Sequence, residues 1–353
     1  GNTALGYLAM DVNTTGANNT AVGFGALDAN TTGGSNTALG KNSLGANTTG
    51  AENVALGHSA LLVNTTGRDN VSVGQASLDA NLTGDNNTAV GHDALSANTS
   101  ADNNTAVGKS ALGANTTGTS NVAMGMNTLD ANTTGNYNTG IGKSSLGANT
   151  TADNNTGIGF VALAANTTGA QNTALGGYAL TTNTTGDNNV AVGYRTAYLL
   201  TTADANTAIG YQAFYTNTTG ASNVAVGAYA LDANTTASSN TAVGTSSLGS
   251  NTTGSSNASV GTNALLTNTT GANNSALGRS ALQANTTGTG NVAVGYNSLL
   301  ANTTGVNNVA SGDSALAANT SSNNTAIGDK ALTASTTGTH NTALGKSALD
   351  ANT

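Results

Sequence analysis

The chain has 353 residues and a mass of 34.0 kDa, and only 7% of its residues are charged, against about 25% in a typical globular protein. It contains no Cys, which excludes a disulfide scaffold and a Cys-ligated zinc or iron–sulfur protein. The net charge of -8 disfavours nucleic acid, whose phosphates require Lys and Arg, and no apolar run is long enough to predict a membrane span.

One repeat runs through the whole chain from Gly6 onward. A Gly follows each NTAVG-like run at a spacing of 17 residues, and there are 21 such glycines. One step, from Gly312 to Gly328, is 16 residues and falls in the polar stretch 320–323, where a turn can lose a residue. We number the repeat from this Gly, so positions 1 to 17 read G-x-x-A-L-x-A-N-T-T-G-x-x-N-T-A-V. We expect a single continuous domain over residues 1–353, which would also fit a piece of a longer repeat protein.

Two short apolar runs in each repeat predict β-strands. The T-A-V run at positions 15–17 and the A-L pair at positions 4–5 are separated by turn formers, above all the N-T-T-G of positions 8–11. A period this short is also incompatible with helical-hairpin repeats. We therefore predict an all-β fold, a parallel β-solenoid of about 21 coils with two short strands per coil. The alternatives are low-complexity disorder and amyloid-like stacking of separate chains.

Two positions hold the same residue in all repeats, Gly at position 1 and Asn at position 14. We expect each to form a structural ladder along the stack, since Gly permits unusual backbone angles and Asn can bond the backbone of a turn. Members of these ladders are Asn19, Asn36, Asn53, Gly23, Gly40 and Gly57.

The thin core predicted for each coil favours an assembly. Large apolar side chains occur mainly at positions 5 and 17. If these point inward, the small residues at position 16, such as Ala21 and Ser72, point outward and form a strip on which another chain packs closely. We expect a homo-oligomeric fibre, with a trimer as the favoured count. The chain begins in a strand and stops in a turn, which also suggests a head-to-tail polymer through open strand edges.

Residues 19–33 (NTAVGFGALDANTTG) and 341–353 (NTALGKSALDANT) resemble the β-roll head repeats of trimeric autotransporter adhesins and the repeat arrays of tail-fibre-like proteins of bacteria and phages. The resemblance covers essentially the whole chain. It implies a left-handed β-roll that forms homotrimers and acts as an extracellular fibre, at a cell surface or on a virion. We therefore expect a non-enzymatic structural or adhesive subunit, whose partners are its own copies and a host surface or glycan.

The Asn at position 8 begins an N-x-T sequon in most repeats. The candidate N-glycosylation sites are Asn13, Asn30, Asn47, Asn64 and Asn115. The alternative is that this Asn holds the turn by bonding the backbone or the Asn one coil away. The adjacent Thr rows at positions 9 and 10 could order water and bind ice, although Thr is also a common strand residue.

No group of residues points to catalysis or to a metal. Asp recurs at position 6, as in Asp28 and Asp79, but calcium requires several clustered oxygens, so we expect solvated acidic side chains there. His58 and His92 share position 2 without a carboxylate at a constant distance in the sequence. We expect no enzyme activity, no cofactor and no metal site.

One stretch contains five of the twelve aromatic residues. Ala197 occupies position 5 and Phe214 occupies it one coil later, a change that conserves core volume. The tyrosines of this stretch are a candidate lateral contact or glycan-stacking patch, formed by Tyr194, Tyr198, Tyr211 and Tyr215. With the Thr rows, this patch supports the alternative function, a solenoid that binds ice or glycans.

Overall fold

The computed structural model describes residues 1–351. It contains 21 strands of three residues each and, within those residues, no helix. The chain divides into two compact units, Gly1–Gly177 and Tyr178–Thr353. Each is an all-β, parallel solenoid, which confirms the predicted fold class.

The first unit carries eleven strands, one in each repeat: β1 Thr3–Leu5, β2 Thr20–Val22, β3 Thr37–Leu39, β4 Val54–Leu56, β5 Val71–Val73, β6 Thr88–Val90, β7 Thr105–Val107, β8 Val122–Met124, β9 Thr139–Ile141, β10 Thr156–Ile158 and β11 Thr173–Leu175. The second unit carries ten: β12 Val190–Val192, β13 Thr207–Ile209, β14 Val224–Val226, β15 Thr241–Val243, β16 Ala258–Val260, β17 Ser275–Leu277, β18 Val292–Val294, β19 Val309–Ser311, β20 Thr325–Ile327 and β21 Thr342–Leu344.

Within each unit, consecutive strands pair in parallel at the same repeat position. Ala21 of β2 lies opposite Ala38 of β3, and Ala225 of β14 lies opposite Ala242 of β15. Successive strands of the chain are neighbours in the sheet, so each repeat forms one coil and adds one strand, at a spacing of 17 residues in all steps but one. The side chains of one position therefore form a row across the coils.

The 16-residue step is absorbed in a turn, as the sequence predicted. Val309 of β19 still lies opposite Thr325 of β20, so the strand register is kept. In the shortened turn, the Ser321 carbonyl accepts the side-chain amides of Asn308 and Asn319 at 2.7 and 2.9 Å. These are the bonds that the position-11 carbonyl accepts in the regular coils, so the deletion changes the length of the turn and leaves its polar contacts in place.

The second predicted strand of each coil is absent. Positions 3 and 5 have positive φ angles, for example 51° at both Leu27 and Leu44, which lie outside the β region. The A-L segment is therefore a turn, although the Leu27 N–H still donates to the Ser43 carbonyl of the next coil at 3.1 Å. A left-handed Leu costs about 1–2 kcal/mol. Because Leu27 is fully buried, its side chain returns about 1.5–3 kcal/mol.

The expected direction of the strand side chains is wrong. The small residue at position 16 points into the coil and is fully buried, as at Ala21 and Ala38, while positions 15 and 17 face outward. The cause is the narrow interior between the strand and the A-L turn. Where position 4 is Thr128, position 16 is Gly140, and a Cβ on that Gly would lie 2.6 Å from the Thr128 methyl carbon. No outer strip of small residues exists on the described strands.

Candidate functional site

The Gly of position 1 and the Asn of position 14 form two ladders along each unit. A Cβ on Gly23, whose φ is 137°, would collide with the carbonyl group of Gly40, and Gly40 has the same relation to Gly57. The Oδ1 of Asn19 accepts the backbone N–H of Asn36 at 2.8 Å. Because the oxygen of Asn36 accepts the next backbone N–H, that of Asn53, at 3.0 Å, the ladder continues from coil to coil.

The turn asparagines of position 8 form a second, buried amide ladder. The Nδ2 of Asn30 donates to the Oδ1 of Asn13 at 2.8 Å and to the Gly33 carbonyl at 3.0 Å. The Nδ2 of Asn19 also donates to this carbonyl, at 2.8 Å, so both ladders converge on position 11. A Cβ on Gly33 would lie 2.6 Å from the Asn30 oxygen, so a larger residue there requires a local shift, and other coils place a buried Ala such as Ala101 at this position.

This ladder contains the asparagines of the predicted sequons. Asn30, Asn47, Asn64 and Asn115 are fully buried, and Asn13 is half-buried. Their Nδ2 atoms, which glycosylation would modify, donate to a position-11 carbonyl in each case. In the folded repeat, these amide nitrogens are therefore engaged in hydrogen bonds, and four of the five asparagines are buried. This geometry matches the alternative role of the turn Asn, which is to hold the turn by bonding the backbone and the Asn one coil away.

The two Thr rows of the turn differ in what their hydroxyl groups do. The hydroxyl of Thr31, at position 9, donates to the Thr48 carbonyl at 3.0 Å, and that of Thr48 donates to the Thr65 carbonyl at 3.0 Å. Thr32 and Thr49, at position 10, are exposed. The position-9 hydroxyl groups are therefore bonded to the neighbouring coil, whereas the position-10 residues Thr32 and Thr49 are exposed.

The outward face of the strands, here called the strand face, carries positions 15 and 17. Position 15 holds mainly Thr or Val and position 17 holds mainly Val, Leu or Ile. Leu39 and Leu175 in the first unit are 50% and 44% exposed, and Leu277 in the second is 53% exposed. Each unit therefore carries a row of exposed and half-buried aliphatic side chains, which Ser311 interrupts in the second unit. Such a row marks an interaction surface more often than isolated apolar residues do.

The acidic residues of position 6 are less solvated than the sequence suggested. Asp79, Asp130 and Asp232 are half-buried, and desolvation raises the pKa of each carboxyl group above its usual value of 3.8, against the lowering effect of backbone hydrogen bonds. A second acidic row lies at position 12, where the Asp102 carboxylate accepts the Asp85 backbone N–H at 2.7 Å.

Other candidate chemistry is sparse in the described residues. His92 contacts its neighbour Asp93 at 2.8 Å through Nδ1, and both side chains are exposed. Residues 1–351 contain no group of three or more metal-ligating side chains and no surface pocket. Over the same residues, no helix has the length and apolar character needed to cross a bilayer.

Six tyrosines of the second unit form one aromatic group, here called the tyrosine cluster: Tyr178, Tyr194, Tyr198, Tyr211, Tyr215 and Tyr229. Tyr194 stacks on Tyr211 with ring centroids 6.0 Å apart and planes at 13°. Tyr198 stacks on Tyr215 at 5.4 Å and 6°. Tyr178 packs edge-on against Tyr194 at 5.9 Å and 85°. The four tyrosines singled out from the sequence thus form two parallel pairs.

Arg195 lies within the tyrosine cluster. Its guanidinium carbon is 5.4 Å from the ring centroid of Tyr194, 5.6 Å from that of Tyr178 and 5.8 Å from that of Tyr198. Among the described residues no carboxylate forms an ion pair with it, and its Nε is buried without a hydrogen-bond acceptor. Its guanidinium therefore lies within cation–π distance of three aromatic rings.

Sequence reasoning missed the strand face, Arg195, Tyr178 and Tyr229. A signal for the last two was present, since four consecutive repeats carry a Tyr at position 2 or 3. The sequence does not show that position 3 has a positive φ, and therefore does not show that a Tyr side chain at position 3 reaches the Tyr row at position 2.

A scan against protein-family models gave no match to this chain, and a search of curated proteins found none either.

Proposed function

We propose that this protein is a non-enzymatic structural or adhesive subunit of an extracellular fibre, at a cell surface or on a virion, and that its copies associate through the strand face. This replaces the strip of small residues expected from the sequence, because position 16 is buried inside the coil. The observation that carries the proposal is the exposed aliphatic row, which includes Leu39 in the first unit and Leu277 in the second.

The strand face is suited to another copy of the same chain. Its side chains repeat at the spacing of parallel strands, about 4.7–4.9 Å, and a second copy presents rows at the same spacing. Burying the two apolar rows against each other removes aliphatic surface from water, at about 25 cal/mol per Å². The resemblance of residues 19–33 to trimeric adhesin repeats makes three chains the favoured count. Adhesion to a host surface or glycan is part of the same proposal.

The test is the mass of the purified protein in solution by sedimentation equilibrium. We expect three times the chain mass of 34.0 kDa. A triple variant with Leu39→Asp, Leu175→Asp and Leu277→Asp should sediment as a single chain, because each substitution would place a charge in the apolar contact. Circular dichroism should show that the variant keeps its β structure, since these side chains lie outside the coil.

The matched control is Thr32→Asp, Thr168→Asp and Thr270→Asp, three exposed residues of position 10 in the same regions of the chain. It adds equal charge away from the strand face and should keep the wild-type mass. A wild-type protein that sediments as one chain, or a strand-face variant that stays assembled, would contradict the proposal.

A second candidate function is glycan binding at the tyrosine cluster. The observations in its favour are the exposed rings of Tyr194, Tyr211 and Tyr229 and the guanidinium of Arg195, which has no acidic partner among the described residues. A glycan array with the wild-type protein and with Tyr229→Ala distinguishes the two functions. Loss of a specific signal in the variant would favour the binding module, whereas the fibre subunit requires no such signal from this cluster.

A further inference from the structure

The geometry of the two parallel tyrosine pairs favours covalent coupling between the two rings of a pair. In each pair the residues share one position of consecutive repeats, 17 residues apart, so the backbone holds the two phenol rings side by side. The ring centroids are 6.0 Å apart for Tyr194 and Tyr211, and 5.4 Å apart for Tyr198 and Tyr215. The exposed fractions of Tyr194 and Tyr211 are 43% and 46%, so an oxidant in solution can reach both rings.

We propose that Tyr194 and Tyr211 form an oxidative cross-linking site, at which a dityrosine bond joins two consecutive coils. The more buried pair, Tyr198 and Tyr215, is the second and slower site. The oxidant belongs to the class of haem peroxidases with hydrogen peroxide, which remove one electron and one proton from each phenol. This inference rests on the tyrosine cluster alone and does not depend on the proposed fibre function.

Cross-linking of one pair consumes one hydrogen peroxide. Two phenols each lose one electron and one proton and become phenoxyl radicals. The radicals join through a new carbon–carbon bond between the ring positions next to the oxygens, and each ring then moves one ring hydrogen to its oxygen and regains aromaticity. One hydrogen peroxide accepts the two electrons and two protons and leaves as two waters. The product has lost two hydrogen atoms.

Preorganisation separates these pairs from Tyr137 and Tyr296, and parallel stacking separates them from the edge-on contacts of Tyr178 and Tyr229. Rings held in contact couple as soon as both are oxidised, whereas distant rings must first meet, so holding the partners together raises the rate. Tyr137 and Tyr296 have no aromatic ring packed against them in the described residues. The bond would close a loop that contains one coil and would hinder the separation of the two coils during unfolding.

The arrangement of cleavage sites allows a direct assay on the full-length protein. Trypsin cuts after Arg195, so Tyr194 lies in the peptide 144–195 and Tyr211 in the peptide 196–279. After treatment with peroxidase and hydrogen peroxide, we expect mass spectrometry to find these two peptides joined, with the mass of two hydrogens missing. The conservative variant with Tyr194→Phe and Tyr211→Phe keeps the ring stacking and should lose the joined peptide.

The chain also offers a gain-of-function control. Tyr7 stacks on Phe24 at 5.6 Å and 26°, in the same position of consecutive repeats as Tyr194 and Tyr211, but the pair has only one phenol. Phe24→Tyr should create a new internal link, detected as the loss of two hydrogens in the peptide 1–41.

Three outcomes would overturn the proposal. One is an equal yield of links at Tyr137 or Tyr296, and another is no new link in the Phe24→Tyr variant. The third is a joined peptide that combines isotope-labelled and unlabelled halves when labelled and unlabelled chains are mixed before oxidation. That result would assign the bond to two different chains instead of two coils of one chain.

Discussion

The regular coils of the first unit and the tyrosine-bearing coils of the second are held together by different side chains. In the first unit, the buried amide ladder continues from Asn13 to Asn166 without interruption. In the second, Leu200 takes its place in one coil, and the Nδ2 of Asn217 donates only within its own turn, to Gly220.

The tyrosine-bearing coils carry other contacts in the same place. Tyr198 and Tyr215 stack at position 6, and Phe214 fills the core at position 5 above the smaller Ala197. Contact between coils therefore does not depend on one residue type. A coil that lacks the amide ladder is still held by backbone hydrogen bonds, a filled core and stacked rings, each of which can be tested separately.

The largest expected effect concerns the core of the tyrosine-bearing coils. Phe214→Ala should lower the free energy of unfolding by about 3–5 kcal/mol, because it opens a cavity in a fully buried site. Ala197→Leu should cost about 1–3 kcal/mol beside Phe214 and less in a Phe214→Leu background, where there is room for it. Urea denaturation of the wild type, the two single variants Ala197→Leu and Phe214→Leu, and the double variant measures the coupling free energy between the two sites. Additive costs would show that the two sites do not share volume.

The next effect comes from placing a Leu at position 8 of a regular coil. Asn47→Leu copies the natural Leu200, but it leaves the oxygen of Asn30 and an amide hydrogen of Asn64 without their ladder partner. Buried unpaired polar groups should lower the free energy of unfolding by about 2–4 kcal/mol. The control Thr49→Val changes an exposed neighbour and should stay within about 0.5 kcal/mol of wild type. Equal urea midpoints for the two variants would show that the buried amide ladder does not contribute to the free energy of unfolding.

The smallest effect concerns position 6, which carries tyrosines in two of the irregular coils and aspartates in six other coils. Desolvation raises the pKa of Asp79, Asp130 and Asp232 above 3.8, so in the window just above 3.8 these three carboxyl groups bind more protons in the folded chain than in the unfolded chain. Stability should therefore fall as the pH rises through this window.

Replacing all three by Asn should reduce that slope, measured as the melting temperature at pH values on both sides of 3.8. Asp69→Asn, at an exposed residue, is the control. An unchanged slope in the triple variant would show that burial at position 6 does not govern the pH response.

Much of the architecture was readable from the repeat. The period, the parallel pairing of equivalent strands, the buried Leu at position 5 and the deletion within residues 320–323 all follow from spacing and turn chemistry. The sequons show the limit of such reasoning. The same N-T-T triplet fits a glycosylation site and a turn, and only the positions of the Asn13 and Asn30 amide atoms distinguish the two.

Chain periodicity established which residues share a row, since equal spacing puts equivalent side chains above one another. It could not say which of two alternating strand residues faces inward, because alternation is symmetric between the two faces. That choice followed from the width of the coil interior, where positive φ at Leu27 brings the A-L turn close and leaves space only for Ala21. Burial of the small residue in turn exposes the aliphatic one, and so the folded coil produces the strand face.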